Sequence, residues 1–448
     1  MQLVRLGDVV ASMKNGIYKP ASEYTDDGVP CLRMYNIESG KIVWRDIKRM
    51  KVSASEQLDY GLLDGDLLVN RVNSRELVGK TAVISSAMEF SVFESKNIRV
   101  RLDTTKALPK FINYQLLARG SRHFANNAQQ VVGMASISQG QLADFPIVLP
   151  DLDEQRRIVS EIETQFSRLD EAVANLQRVK ANLKRYKASV LKAAVEGRLV
   201  ETEASIAQRE GRSYEAGEQL LQSTLAARQV QWVGRGKYKT PEPPQESDVS
   251  LSEGWAWATL EQLHLQIADV DHKMPKAQES GIPYISTKDF FGDEGIDFSK
   301  AKLITAADYE GLCRKVKPER GDLLLSRYGT VGEVREVSID GPFQASYSVA
   351  ILKPVRGFVP IRFLIAALRS DVVQRQIKRD VRATAQPDLG LAHIRQFVVP
   401  VPPMAEQLRI LEELDRQLSI LRGIETEVEN NLLRAQSLRQ STLSKAFI

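Results

Sequence analysis

The chain has 448 residues, roughly three times the ~150 usually allotted to one domain, so two or three units are expected rather than a single core. A composition of 43% apolar, 26% charged and 7% aromatic residues excludes a disordered or fibrous protein. Basic residues number 61 against 57 acidic, a net charge of +4 that permits nucleic-acid binding through local patches without demanding it. No run reaches the ~18 to 20 apolar residues that span a bilayer, and the opening MQLVRLGDVV carries charge where a signal peptide is apolar, so a cytoplasmic location is expected. Cys31 and Cys313 lie far apart, which excludes a disulfide scaffold. His123, His264, His272 and His393 are scattered without zinc-site spacing, so no metal is expected.

In chain order, residues 1–150 read as a strand-rich domain. Leu67 to Asn70, Thr81 to Ser85 and Ile98 to Leu102 are apolar runs between Gly, Pro, Asn and Asp, too short for helices. A turn at Pro150 then opens a helix over 151–197, with Asp151 as its N-cap and Glu154 in capping position. Ile162, Leu169, Leu176, Leu183 and Val190 recur every seven residues, supported by Phe166, Val173, Val179 and Tyr186. That is a coiled-coil seam. At ~1.5 Å per residue the helix is ~65 to 70 Å long, more than a domain of this size can cover, so its partner is expected to be a second such helix. Residues 198–250 read as a linker with Gly211, Gly217, Gly234 and Gly236, a PEPP stretch and one short amphipathic helix around Tyr214 to Val233. Residues 251–402 return to the strand-rich pattern, as at Val349 to Leu352. Residues 403–448 return to the heptad helix through Leu414, Leu421 and Val428, continued by Ala435 and Thr442 and flanked by Leu418, Ile424, Leu432 and Leu438.

The chain therefore repeats itself. FPIVLPDLDEQRRIVSEIE, beginning at Phe145, returns 252 positions later as FVVPVPPMAEQLRILEELD at Phe397, with Glu154 and Gln155 matching Glu406 and Gln407. GVPCLRMYNI at Gly28 matches GIPYISTKDF at Gly281, and DGDLLVNR at Asp64 matches RGDLLLSR at Arg320.

The second copy serves as a control on chemistry that is nearly present in the first. Gly79-Lys80-Thr81 ends like a phosphate-binding loop, but Ser74 stands where its first glycine belongs, and the second copy keeps only Gly332 before Glu333 and Val334. The expected element is a glycine turn between strands. Asp66 with Glu94 and Lys96 suggests a nuclease cluster. The second copy offers Asp322 but Ala345 and Tyr347 in the other places, so a turn aspartate and surface charges are expected. There is no dinucleotide fingerprint, no Gly-x-Ser-x-Gly elbow and no Asn-Pro-Pro-Tyr, and no catalytic residue is assigned.

Two strand-rich domains, each followed by P-x-x-x-E-Q-x-x-I and a long heptad helix, resemble the specificity subunit of type I restriction-modification systems, as does the tryptophan-bearing LSEGWAWATLEQL at 251–263. The resemblance implies an α+β fold of two tandem target-recognition domains joined by two long helices in an antiparallel coiled coil. It also implies a non-catalytic DNA-reading subunit, each domain taking one half of a bipartite, asymmetric site. By the same resemblance the helices are expected to act as ruler and as dock for two methyltransferase subunits, with restriction/translocase subunits joining the complex. S-adenosylmethionine, ATP and Mg are expected on those partners and no cofactor on this chain. The long linker departs from the family pattern.

A DNA reader needs phosphate-neutralising cations and side chains that pair with base edges. The first domain offers Lys14, Lys19, Arg33, Tyr35, Asn36, Arg71, Asn73, Arg75 and Lys80 near strand ends. The second offers Lys273, Lys276, Ser286, Thr287, Lys288, Arg327, Tyr328, Thr330 and a polar loop around Gln386. Arg71 and Arg327 align, and a residue common to both domains does not make their half sites differ, so these two are expected to position the backbone or hold the fold. Pairs that differ, Arg33 against Ser286 and Asn36 against Asp289, are the expected base readers. The competing expectation is a coiled-coil scaffold joining two protein-binding modules, with no DNA.

Overall fold

The structure is a computed structural model that describes residues 2–131, 134–232, 237–244, 250–272, 274–381 and 387–447, excepting the side chains of 130 and 131. Lys273 and Gln386, Val233 at the end of the expected linker helix, and Gly234 and Gly236 lie outside the described residues. Its contacts divide the chain into two units, Met1–Arg178 with Val428–Ile448, and Val179–Glu427.

The first unit is built on an antiparallel sheet of β1 (Val10–Asn15), β2 (Leu67–Asn70), β3 (Thr81–Val83) and β4 (Asn97–Leu102), ordered β3-β2-β4-β1. Successive side chains of a strand face opposite ways. Leu67 and Val69 thus enter a core with Ile98, Phe111 and Phe145, while Leu68 faces a second core with Leu32 and Phe93. Burial on both faces is why β2 reads as an unbroken apolar run. The second unit repeats the plan with β5 (His264–Ala268), β6 (Leu323–Ser326), β7 (Val334–Glu336) and β8 (Val349–Pro354), ordered β7-β6-β8-β5. Here too Leu323 and Leu325 face one core and Leu324 the other. The likeness extends to a short parallel pairing, Cys31 and Leu32 with Val92 and Phe93 in one unit, Tyr284 and Ile285 with Gln344 and Ala345 in the other. Each domain closes by pairing an opening strand with the strand that leads into the long helix: Gln2–Arg5 with Pro146–Leu149, and Ala256–Thr259 with Val398–Val401.

The near-catalytic residues are absorbed by this scaffold. Asp66 accepts the Leu63 N–H at 2.8 Å and pairs with Arg101 at 2.8 Å. Asp322 likewise accepts the Glu319 N–H at 2.8 Å and pairs with Lys353 at 2.6 Å. Glu94 accepts the Met34 N–H at 2.9 Å. Among the described residues no three His, Cys, Asp or Glu side chains gather as a metal site. Gly79 and Gly332 both sit at positive φ, 85° and 93°, and a Cβ on Gly79 would lie 2.3 Å from the Phe124 ring, so the shared element is a tight turn that needs glycine.

Beyond the short helices within the domains, α1 (Leu152–Val195), α2 (Glu203–Glu210), α3 (Gly217–Val230) and α4 (Met404–Ala446) carry the chain from the first domain, through the linker, and away from the second. Asp151 caps α1 by accepting the Glu154 N–H at 2.8 Å, but the Glu154 carboxylate turns to Arg157 instead of completing a capping box. The neighbouring Gln155 is wholly buried. Its amide donates to the Lys106 and Pro150 carbonyls, both at 2.9 Å, and its oxygen accepts the Leu108 N–H at 2.9 Å. Gln407 donates to the Pro402 carbonyl at 2.7 Å in the same manner.

The long helices pair antiparallel within each unit. In the first, Ile158, Ile162 and Phe166 share a core with Leu443 and Phe447, and Arg439 lies 4.3 Å over the Phe166 ring. In the second, Val190 and Ala194 share a core with Ile410 and Leu414. Ile162, Leu183, Val190, Leu414, Leu421 and Val428 are buried, and Leu169 and Leu176 partly so. Val179, Tyr186, Ile424 and Leu438 are exposed, because a two-helix pair covers only one stripe and the flanking positions face water.

Equivalent charges tie each domain to its helices. Lys110 pairs with Glu163 at 2.5 Å, and Arg362, 252 positions on, pairs with Asp415 at 2.5 Å. Lys41 and Arg439 both hold Asp170, at 3.1 and 2.9 Å. In the second unit the polarity is reversed: Asp293 takes the Lys187 ammonium, and Arg422 lies 4.0 Å from Glu294.

The linker holds two helices where the sequence pattern predicts one; α2 has too few apolar residues to announce itself. Both pack on the second unit. Arg228 of α3 is buried and donates to the His264 carbonyl at 2.8 Å and the Tyr238 hydroxyl at 3.0 Å. His264 is itself buried, and burial pushes its imidazole down to about 4.

Gln155→Leu strands three backbone groups and is expected to cost ~2 to 4 kcal/mol in urea unfolding, against under ~1 for Glu154→Gln on the surface. Because His264 is neutral in the fold and titrates near 6.5 when unfolded, stability is full above that pH and is lost as pH falls from about 6.5 towards 4, by up to ~3 kcal/mol. Urea titrations at stepped pH should show this loss, reduced in His264→Gln.

Candidate nucleic-acid interface

In the first domain the strand ending at Leu32 runs into a tight turn, Met34–Asn36. Asn36, buried, makes that turn: its oxygen accepts the Arg33 N–H at 2.9 Å and its amide donates to the Arg45 carbonyl at 2.9 Å. Asp289 does the same in the second domain, accepting the Ser286 N–H at 2.7 Å and the Ser286 hydroxyl at 3.1 Å. The pair Asn36 and Asp289, expected to read bases because it differs, therefore performs one shared structural task. What the turns present outward differs. Tyr35 is 64% exposed, with the Arg33 guanidinium 5.5 Å from its ring centroid. The second turn presents exposed Lys288 beside half-buried Thr287 and Ser286.

A second loop follows β2. Arg71 is half-buried with its Nε 3.5 Å from the Ile137 carbonyl. Asn73 donates to Asn70 at 2.9 Å, Arg75 is exposed and donates to the Ala125 carbonyl at 3.0 Å, and Lys80 is half-buried beyond Gly79. Lys14 and Lys19 are engaged by Asp59 and Glu56, each at 2.9 Å.

After β6, Arg327 is buried. Its guanidinium pairs with Asp269 at 2.6 Å, donates to the Leu389 carbonyl at 2.9 Å and lies 4.6 Å over the Tyr328 ring. These contacts tie Arg327 to the domain interior, one of the two roles its alignment with Arg71 leaves open. Around it stand His272, stacked on Tyr347 at 4.5 Å, and Tyr328, edge-on to Tyr347 at 5.4 Å. His272, Tyr347 and Asp269 are absent from the sequence-based candidates, since nothing local marks side chains brought together from three strand ends. Thr330 and Lys276 are exposed.

The result is a rigid scaffold under short polar loops, a geometry for recognition without an assembled reaction centre among the described residues. A family model described as the type I restriction modification DNA specificity domain matches residues 1–185 and 264–430. The chain belongs to that family: it is a DNA specificity subunit of a type I restriction-modification system, a non-catalytic subunit with two target-recognition domains. It is 23% identical to the type I restriction enzyme EcoBI specificity subunit of Escherichia coli, over 98% of this chain and 84% of that one. It is 30% identical to the putative type I restriction enzyme MjaX specificity subunit of Methanocaldococcus jannaschii, over 37% of this chain and 39% of that one. Its fold is similar to a chain solved in work on complex assembly and conformational transition of the type I R-M system, with a TM-score of 0.63, 19% identity and coverage of 100% of this chain and 97% of that one. No described helix is long and apolar enough to cross a membrane.

Removing Arg327 leaves Asp269 buried with Lys315 as its remaining ion-pair partner. Arg327→Ala is expected to cost ~3 to 5 kcal/mol of unfolding free energy. Arg33→Ala, which removes one bond to the Asp46 carbonyl and an exposed contact with the Tyr35 ring, should stay within ~1 kcal/mol of the parent. Equal losses in the two variants, measured by urea unfolding, would contradict these assignments.

Proposed function

We propose that each target-recognition domain reads one half of a bipartite, asymmetric DNA site, and that the chain docks two methyltransferase subunits, with restriction/translocase subunits completing the complex. S-adenosylmethionine, ATP and Mg belong to those partners, and the assembly works in the cytoplasm. The observation that best supports the division is the contrast between common and private features. The two domains use the same sheet order and the same turn-capping device, yet the turns carry Arg33 and Tyr35 in one and Thr287 and Lys288 in the other. A shared frame with different outward side chains suits two readers of different sequences.

Arg33, Tyr35, Arg75, Thr287, Lys288, Tyr328 and Thr330 are the proposed DNA-facing residues, while Asn36 and Arg327 act by holding the loops that carry them. Arg71, Asn73, Lys80 and Ser286 lie on the same loops and, like Arg33, Thr287 and Tyr328, are half-buried.

In the assembled methyltransferase, Arg33→Ala should relax the methylated sequence at one half site only, at ~1 to 3 kcal/mol of discrimination if the guanidinium takes a guanine. Lys288→Ala should act on the other half only. Sequencing the methylated sites genome-wide reads both outcomes. Relaxation of both halves by either variant would contradict one domain per half site, and an unchanged motif in both would remove these two turns from the DNA. The purified chain alone should transfer no label from S-adenosylmethionine to DNA.

A further inference from the structure

The internal repeat allows one groove to be compared with its own filled counterpart. In the second unit the first turn of α4 carries Glu406 and, one turn on, Arg409. Both receive the start of α2. Glu406, wholly buried, accepts the Glu203 N–H at 2.8 Å and the Trp255 indole N–H at 3.0 Å. Arg409 pairs with the Glu203 carboxylate at 2.7 Å, and Arg212 joins it at 2.6 Å. Thr202 caps the helix by accepting the Ser205 N–H at 3.2 Å, and Ala204 and Ala207 are buried in the contact. Ile410, the next residue after Arg409, is completely covered.

In the first unit the same positions are Glu154, Arg157 and Ile158. There, among the described residues, Glu154 and Arg157 pair with each other and Arg157 with Glu161, each at 2.6 Å, and the Arg157 side chain is 57% exposed. They border a groove of ~710 Å³ whose walls include Ile158, Ile162, Thr442 and Lys445. One Glu-Arg pair is thus occupied by a helix start, and its equivalent borders an open, largely polar groove whose large apolar residues, Ile158 and Ile162, are already covered by the core.

We infer that the groove of the first unit is a docking site for the first turn of a helix from a partner protein. The chemistry of that helix is the chemistry of α2: a Ser or Thr cap, an acidic first residue, and small residues one and four positions later. The acid would take Arg157 from Glu154, Glu154 would accept the first N–H, and the small residues would let the helix lie close in the groove. Burial strengthens each of these charge-assisted bonds relative to the exposed pair they replace.

The test uses the full chain and a peptide of residues 199–211 carrying a photoreactive benzophenone at position 206, with cross-links mapped by mass spectrometry. Expected are cross-links on 154–168 or 442–446, reduced about tenfold by Arg157→Glu, equivalent to ~1.4 kcal/mol. A peptide with Glu203→Arg should recover them on the Arg157→Glu chain. Because Arg157 is exposed, the variant should melt with the parent, and a thermal scan checks this. Cross-links no stronger than those of a scrambled peptide, insensitive to Arg157→Glu, or confined to 404–420 would each overturn the inference.

Discussion

Ile162 and Phe166 of α1 lie in one apolar cluster with Phe111, Phe145 and Leu443, and Val190 and Leu414 lie in another with Leu323, Phe363 and Phe397. The ends of the long helices are therefore part of the domain cores. At ~1.5 to 3 kcal/mol for each large apolar side chain kept from water, a helix end cannot slide or turn without opening the core it shares. The remaining features depend on this coupling. The closing strand of each domain runs straight into the helix, a buried glutamine fixes the corner, and lysine or arginine on a domain helix pairs with an acid one face away.

Those ion pairs show how a duplicated architecture diverges without losing its geometry. Lys110 with Glu163 and Arg362 with Asp415 keep the same polarity. At positions 41 and 293 the charge is inverted, and the partner changes with it, from Asp170 to Lys187. Exposed pairs of this kind contribute little energy each. Their value lies in orientation, since a recognition loop that is free to tilt reads no fixed sequence. The same separation runs through the loops proposed to face DNA, where Asn36, Asp289 and Arg327 spend their polar atoms inside the domain and leave neighbours such as Tyr35 and Lys288 to face solvent.

Periodicity carries most of the architecture into the sequence. The heptads of α1 and α4, the Asp151 cap and the buried runs of β2 and β8 depend on local pattern, and local pattern is legible. The repeat also marks Asp66 and Gly79 as turn residues, because their equivalents lack the accompanying chemistry. What stays hidden depends on contacts between distant segments. Asn36 and Asp289 look like divergent recognition residues in one dimension, yet both cap the same turn, since an amide oxygen and a carboxylate oxygen accept the same N–H. The stack of His272 and Tyr347 forms from segments 75 residues apart. The helix α2 packs through Glu203 and two alanines, which carry almost no hydrophobic signal.

That the helix pair spaces the two half sites is tested most directly by lengthening both helices at matched positions. One heptad inserted after Leu176 and one after Val428 preserves the seam and adds ~10 Å of helix. At ~3.4 Å per base pair the spacer should grow by about three base pairs, with a rotation of roughly 100° that the complex either accommodates or fails to bridge. Genome-wide methylation by the extended subunit should therefore appear at the same half sites with a longer spacer, or vanish. Full methylation of the original site at its original spacing would contradict a spacing role for the helices.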